Sequence, residues 1–418
     1  MTHGTASGIS DLDAEESGVP ADVAGDVPAL AQAGDLAWAV LKMQAGARVT
    51  IDAALLGAFE AASSPHSRRA LRSDLEAFDL WCRRSGVPSL PATPELVAAY
   101  LEARARGGAK PASLARYRAS LAKIHRLLGL ADPTKAELVT LTLVAIRRAK
   151  GSAQAQARPL RFKGPVKDVA RDTPRGLNVR ALLESCGEDL PGLRDRALLS
   201  VAYDTGLRAS ELVAVHAEHI LEALDPEARL LAIARHKGDP EGQGATAFLS
   251  PRSVRALAAW CAAASITEGA LFRRVQVRRY KARPAVKGRP IGSISGREAW
   301  DLRKTLSRPA VPARVEYDLG ERALHPGSIG PLWRAIIKKA FDRGALPDLT
   351  QDDLERLLQG VSAHSTRVGL NQDLFASGED LAGIMDALRW KSPRMPLAYN
   401  RNLAAEHGAA GRLIAKIG

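Results

Sequence analysis

Apolar residues recur at helical spacing through most of this chain. Between about 65 and 150, Leu71, Leu75, Phe78 and Trp81 step by four, three and three, and Gly86 follows as a stop. Thr93 before Pro94 predicts a helix start: the hydroxyl can accept from an open backbone N–H, and proline has none to leave open. Val97, Tyr100 and Leu101 supply that helix with an apolar face. Leu114, Tyr117, Leu121, Ile124 and Leu128 step by three, four, three and four. Asp132–Pro133 predicts the cap of a fourth helix, carrying Leu138, Leu141, Ala145 and Arg148. The pattern is a four-helix unit whose polar positions are rich in bases, among them Arg116, Arg118, Lys123, Arg126, Arg147, Arg148 and Lys150.

Residues 151–176 mix Gly, Pro, Gln and bases, which predicts a basic linker, either lying along a phosphate backbone or simply solvated. A larger domain follows over 177–418, with helical patterns at about 178–187 and 192–205. Arg229–Arg235 alternates as a strand, His236–Gly244 is turn chemistry, and Ala245–Leu249 is a second strand, giving a hairpin in a mostly helical setting. Ser250–Pro251 caps a helix running to about Ala264. Residues 276–325 are rich in Arg, Pro and Gly with no clear period, and are expected to be a partly ordered insertion. Helical patterns resume at about 328–343, 351–358, 365–376, 379–387 and 393–400. At the other end, residues 1–35 have few large apolar side chains and predict a disordered acidic tail. Residues 36–60 predict one amphipathic helix using Leu41, Val49, Leu55, Leu56 and Phe59. The expected organisation is therefore mainly α: an acidic region 1–60, a helical domain 61–150, a linker 151–176, and a mostly helical domain 177–418 with a small β-hairpin.

Composition narrows the function. The 418 residues suffice for two cores at roughly 150 residues each. Net charge is +13, unevenly placed: residues 1–60 carry nine acids against Lys42 and Arg48, so that segment is −7 and the remainder +20. A body this basic suggests a polyanionic partner, commonly nucleic acid, against the plainer reading of a generally Arg-rich composition. Cys82, Cys186 and Cys261 show no CxxC spacing, which predicts small buried hydrophobes in a reduced compartment, with no zinc or disulfide framework. No apolar run approaches the ~20 residues of a membrane span. Residues 1–30 are acidic where a secretory signal would be basic, so the expected location is cytoplasmic, at the bacterial nucleoid.

Four separated pieces carry chemistry. Thr205–Leu212 reads TGLRASEL, with Gly206 ending one helix and Arg208 at the turn into the next. Lys237 sits between the hairpin strands, where a mobile lysine can reach another element's site. His364 and Arg367, in HSTR, share a helix face at i, i+3 and can meet one phosphate. Trp390 precedes Tyr399 by nine residues in LRWKSPRMPLAYNRNL. Taken singly, each is more ordinarily a surface base, a solvated lysine or a core aromatic.

As an ordered set, Arg in a TGLRxSEL context, hairpin Lys, HxxR, Trp and Tyr, this chain resembles the tyrosine recombinase (lambda-integrase-like) family. The stretch from AHSTRVGLNQDL to LAYNRNL is most similar to its Cre-like members, and the helical unit to the family's SAM-like core-binding domain. The resemblance covers roughly 65–275 and 328–418. It implies a DNA strand transesterification with no cofactor, metal or ATP, acting on a double-stranded recombination site as a homotetramer on two duplexes. Tyr399 would be the nucleophile, leaving a 3′-phosphotyrosine and a free 5′ hydroxyl. Arg208 and Arg367 are suited to hold the non-bridging oxygens as charge builds, because a guanidinium is planar, bidentate and permanently charged. The resemblance adds His364 and Trp390 as donors to the same phosphate, Lys237 as the acid for the leaving oxygen, and Glu211 as a brace for the active-site arginine. A phenol of pKa near ~10 is only about 0.1% ionised at pH 7, so Tyr399 needs help, and His364 is the candidate acceptor.

Three features depart from the pattern: His236 and Gly238 flank Lys237, the 276–325 segment is long, and the acidic N-terminus has no counterpart. Two other readings share the fold, a non-catalytic DNA-binding protein and a type IB topoisomerase or telomere resolvase. The first would be marked by loss of Tyr399 or an arginine, which the sequence retains.

Overall fold

The computed structural model describes residues 52–151, 156–165, 174–233, 244–290, 293, 306–401, 403, 411, 413, 414 and 417. The chain divides into two compact units, Met1–Ala155 and Gln156–Gly418.

Among the described residues, the first unit holds five α-helices: α1 Ala53–Ala62, α2 Pro65–Arg84, α3 Pro94–Arg106, α4 Pro111–Leu127 and α5 Glu137–Lys150. Asp52, Ser64 and Thr93 cap the first three by accepting from Leu55, Ser67 and Leu96, and proline opens α2, α3 and α4. Leu71, Leu75, Phe78, Tyr100, Leu114 and Ile124 meet in one core. The fourth predicted helix starts later than its cap signal. Asp132 instead caps a 3-10 turn, Pro133–Lys135, accepting from Thr134 N at 3.0 Å, and Ala136 is extended before α5 begins. The turn changes which face is inward: Val139 and Leu143 are buried, whereas Leu138 and Leu141 are 46% and 55% exposed.

Two buried polar groups are fully used in this core. His125 Nδ1 lies 2.8 Å from Leu121 O, and Ala92 N donates to its Nε2 at 3.1 Å, which fixes the neutral ring with the proton on Nδ1. Asp74 accepts from Ser120 Oγ at 2.7 Å and from Arg116. Arg116 is thus partly spent inside the unit rather than offered wholly to a partner.

The second unit centres on α7 Leu190–Thr205, preceded by α6 Val179–Glu184. Ala197 through Ala202 are all buried, so α7 is covered on every side. A short helix α8, Ala209–Val213, leads into a three-stranded antiparallel sheet β1 Ile220–Glu222, β2 Arg229–Ile233, β3 Ala245–Leu249. The expected hairpin is β2–β3, closing at Ile233 opposite Ala245; β1 pairs Leu221 with Leu230 on its other side. Helix α9, Pro251–Ala264, is pinned to α7 through Asp204, which accepts from Ser250 N at 2.9 Å and from the hydroxyls of Ser250 and Ser253. Trp260, Trp333 and Phe272 fill the core. Cys82 and Cys186 are buried, Cys261 half-buried, and desolvation pushes the first two thiols up to about 12.

The segment read as an insertion contains regular structure. Strand β4, Arg273–Tyr280, pairs antiparallel with β5, Arg314–Ala323. Helices α10 Ile329–Asp342, α11 Gln351–Gly360, α12 Ser365–Ser377, α13 Leu381–Ala387 and α14 Arg394–Tyr399 complete the unit. Part of the stretch read as linker also packs here. Arg158 N donates to Gly360 O, Leu160 N to Ser365 O, and Leu160 is fully buried. Gly369 is what admits it: a Cβ there would stand 1.9 Å from Leu160 O. Asp373 locks the arrangement, accepting from Arg161 Nε at 2.6 Å, Phe162 N at 2.8 Å and Tyr203 Oη at 2.5 Å.

Candidate active site

The first arginine is placed by a helix end. Gly206 terminates α7 in the left-handed region at φ 56°, where a Cβ would meet Leu388 Cδ2 at 2.3 Å. The chain then turns, and Arg208 becomes the N-cap residue of α8. Glu211, three residues on, accepts from Arg208 N at 2.9 Å and from its guanidinium at 2.7 Å. Burial alone would raise the Glu211 carboxyl. The hydrogen bonds and charge of Arg208, with the charge of Arg367, outweigh it and hold the group below its ordinary range. Glu211 is therefore an anion inside the site, and it orients Arg208 from behind.

Arg367 lies on the first turn of α12 and is 2% exposed. Its two terminal nitrogens donate to the carbonyls of Gly206 and Leu388, and its guanidinium stacks 4.7 Å from the Trp390 ring centre. It therefore joins three segments, the α7–α8 turn, α12 and the α13–α14 turn. Burial first, and then the neighbouring charges of Arg208 and Arg389, pull its pKa down to about 9, still cationic at neutral pH. His364 is the N-cap residue of the same helix and is exposed, its backbone N–H donating to Ser362 Oγ at 3.2 Å.

Trp390 and Tyr399 come together across the short α14, with ring centres 5.7 Å apart. Two side-chain amides hold that helix: Gln372 donates to Tyr399 O at 3.0 Å, and Asn371 to the side chain of Asn400 at 2.6 Å. Burial raises the Tyr399 phenol above its ordinary value, and the charges of Arg367 and Arg208 only partly offset this. The phenol is thus neutral at pH 7, and the charges of Arg367 and Arg208 both favour the phenolate. Arg208, Glu211, Arg367, Trp390 and Tyr399 form one cluster, with His364 one helical turn from Arg367. Lys237 lies outside the described residues; the strands that flank it do not.

One residue of the cluster gave no signal in the sequence. Arg389 adopts φ 52°, a region that non-glycine residues rarely occupy, and donates to Thr205 O at 2.7 Å. Its Nε is buried without a partner among the described residues. Burial lowers its pKa, as does the nearby charge of Arg208, against the raising effect of Glu211. It ties the turn before Trp390 to the turn before Arg208. A lone arginine beside a tryptophan carries no periodicity to find it by.

Residues 58–130 match the family model for the N-terminal SAM-like domain of phage integrases. An integrase/recombinase described as a xerD homolog from Selenomonas ruminantium is 30% identical over 227 residues. That alignment covers 52% of this chain but only 61% of the relative's length. Recombinase cre of Escherichia phage P1 is 25% identical over 357 residues, 84% of this chain and 89% of its own. Tyrosine recombinase XerC from Mycobacterium sp. (strain KMS) is 31% identical over 211 residues, 49% of this chain and 61% of its own. No helix among the described residues is long and apolar enough to cross a membrane. In its SAM-like domain and in these relatives, the chain is similar to site-specific tyrosine recombinases.

Proposed function

We propose that this protein is a site-specific recombinase that cuts and rejoins double-stranded DNA through Tyr399. The observation that carries the reading is the packing of one cluster: Arg367 bonds to Gly206 O in the turn before Arg208 and stacks on Trp390, whose ring lies 5.7 Å from that of Tyr399. In the proposed step the Tyr399 oxygen attacks the scissile phosphorus and the phenol gives up its proton. The bond to the 5′ oxygen breaks, that oxygen takes a proton, and a 3′-phosphotyrosine remains. Arg208 and Arg367 neutralise the non-bridging oxygens, and Trp390 can donate through its indole N–H. His364 is assigned, from the family resemblance, as the acceptor of the phenol proton. Attack by a different 5′ hydroxyl reverses the step, so the energy of the broken bond is retained and no metal or ATP is required.

The test is capture on a nicked duplex. If the short 5′-hydroxyl fragment diffuses away after cleavage, religation stops and protein stays bound to DNA. Incubated with nicked genomic fragments, the protein is expected to yield adducts that survive denaturing gels, and sequencing their ends reads out the target. Only dissociable complexes would overturn the reading and leave a DNA-binding protein on this fold. Relaxed circles without joined recombinant products would favour a topoisomerase.

Lys237 is assigned as the acid for the leaving 5′ oxygen. Lys237→Ala should cut ordinary DNA at least ~100-fold more slowly, in line with general acid catalysis. A substrate with sulfur at the 5′ bridging position leaves without a proton and should restore the rate. Equal defects on both substrates would remove Lys237 from that role.

Assembly as a tetramer on two duplexes is proposed to use the C-terminal segment. That segment exposes Leu413, Ile414 and Ile417 at 57%, 63% and 74%. Docked on a neighbouring subunit, it would close a ring and couple that neighbour to Tyr399. Truncation after Ala410 is expected to leave single-site binding intact and abolish synapsis in gel-shift assays. Normal synapsis by the truncated protein would exclude the segment.

A further inference from the structure

The β4–β5 ribbon has no part in the chemistry above. It leaves the core at Phe272 and returns at Leu324, both buried and joined by Leu324 N donating to Phe272 O at 2.8 Å. Val275 and Leu319 still pack on the core at the root. Beyond Val277 almost every described residue of both strands is exposed. The pairing nevertheless runs on: the register that sets Val275 opposite Leu319 also sets Arg283 opposite Val311 and Val286 opposite Arg308. At about 3.3 Å per residue, Val275 to Val286 spans on the order of 35 Å.

Its charge is one-sided. Residues 273–290 contain eight bases and no acid. Residues 306–323 contain three of each, and two of those acids, Glu316 and Asp318, are engaged by Arg314 at 3.1 Å and Arg278 at 3.8 Å. The described ribbon therefore carries +8. Arg274, Arg279, Lys281, Arg283 and Lys287 form no ion pair among the described residues. Period-two alternation puts Arg279, Lys281 and Arg283 on one face, outward of the valines at the root. A long two-stranded ribbon is at best marginally stable without something to lie against, and like charges this dense repel one another unless an anion intervenes.

We infer that this ribbon is a DNA-backbone arm: it lies along the duplex beyond the cleavage cluster and contacts phosphates there, independently of sequence. The inference rests on the recombinase reading for its choice of polyanion. A two-stranded ribbon fits a B-DNA major groove ~12 Å wide, and its net charge, roughly one per 4 Å of length, is close to the one phosphate per ~3.4 Å along a single strand of the duplex. A second copy of this chain is the alternative that the experiment separates.

The full-length chain is compared with a variant carrying Arg274→Gln, Arg279→Gln, Lys281→Gln and Arg283→Gln. All four sites are exposed, so thermal unfolding should not move. Binding to a 40-base-pair duplex of arbitrary sequence is measured from ~50 to ~200 mM salt. Each phosphate contact contributes about 0.9 to the slope of log affinity against log salt, so the variant's slope should be shallower by about 2 to 4. Its affinity at the lowest salt should fall at least ~10-fold. A slope within ~1 of the parent's would overturn the inference, because remote charges alone give that much. If the slope holds but the variant fails to assemble on paired sites, the arm grips another subunit instead. Failure of the parent itself to bind the duplex would overturn the recombinase reading, an outcome distinct from either.

Discussion

Tyr399→Phe is expected to bind DNA as the parent does and to form no covalent adduct. The substitution deletes one oxygen and keeps the ring that packs 5.7 Å from Trp390, so α14 and its hydrogen bonds from Gln372 and Asn371 are retained. No other group in the cluster can replace the phenol as nucleophile. Arg208 and Arg367 are cations, Trp390 is a donor only, and Glu211 is held behind Arg208 by two hydrogen bonds. Cleavage should therefore drop by at least ~10⁴-fold, the scale seen when a covalent nucleophile is removed. Nicked-duplex capture followed by a denaturing gel measures it. An adduct persisting in the variant would mean that another residue attacks the phosphate.

Arg367→Lys and Arg367→Ala are expected to separate two duties of one side chain. The guanidinium is 2% exposed and donates with two nitrogens to Gly206 O and Leu388 O, while its face lies on Trp390. Lysine keeps a charge but cannot serve both carbonyls and stack, since its ammonium is a single point on a flexible stem. Arg367→Lys should fold yet cut ~10²–10³-fold more slowly, the cost typical of losing one preorganised donor to a developing anion. Arg367→Ala additionally leaves two buried carbonyls unpaired and a cavity beside Trp390. It should lower stability by about 2–4 kcal/mol. Urea midpoints and single-turnover cleavage resolve the two effects. Cleavage by Arg367→Lys within tenfold of the parent would show that the fork geometry is not used on the phosphate.

The elements that were legible in the sequence are those whose signals are local. Capping residues such as Ser64, Thr93 and Ser250 act within three residues, and a buried helix face repeats on a fixed period. The helices of both units therefore stood out, as did the strands Arg229–Ile233 and Ala245–Leu249. Asp132 shows the limit of such signals: the cap was real, but it served a 3-10 turn, and that turn exchanged Leu138 and Leu141 for Val139 and Leu143 on the inward face. The β4–β5 ribbon escaped because both its faces are wet over most of its length, and without burial on one side there is little alternation to read.

By itself the sequence determined the mainly helical character, the Arg, His, Arg, Trp, Tyr order of the candidate site, and the basic body. Those properties reside in residue type and spacing. Tertiary structure alone decided how the pieces meet. Three segments far apart in the chain converge because Arg367 spans the carbonyls of Gly206 and Leu388. Gly369 lets Leu160 press against α12. Arg389 is held in a left-handed turn that only the packed surroundings can impose. A bond between residues 161 positions apart leaves no local periodicity; it offsets the cost of burying a charged guanidinium and a carbonyl, and that burial exists only once the chain has folded.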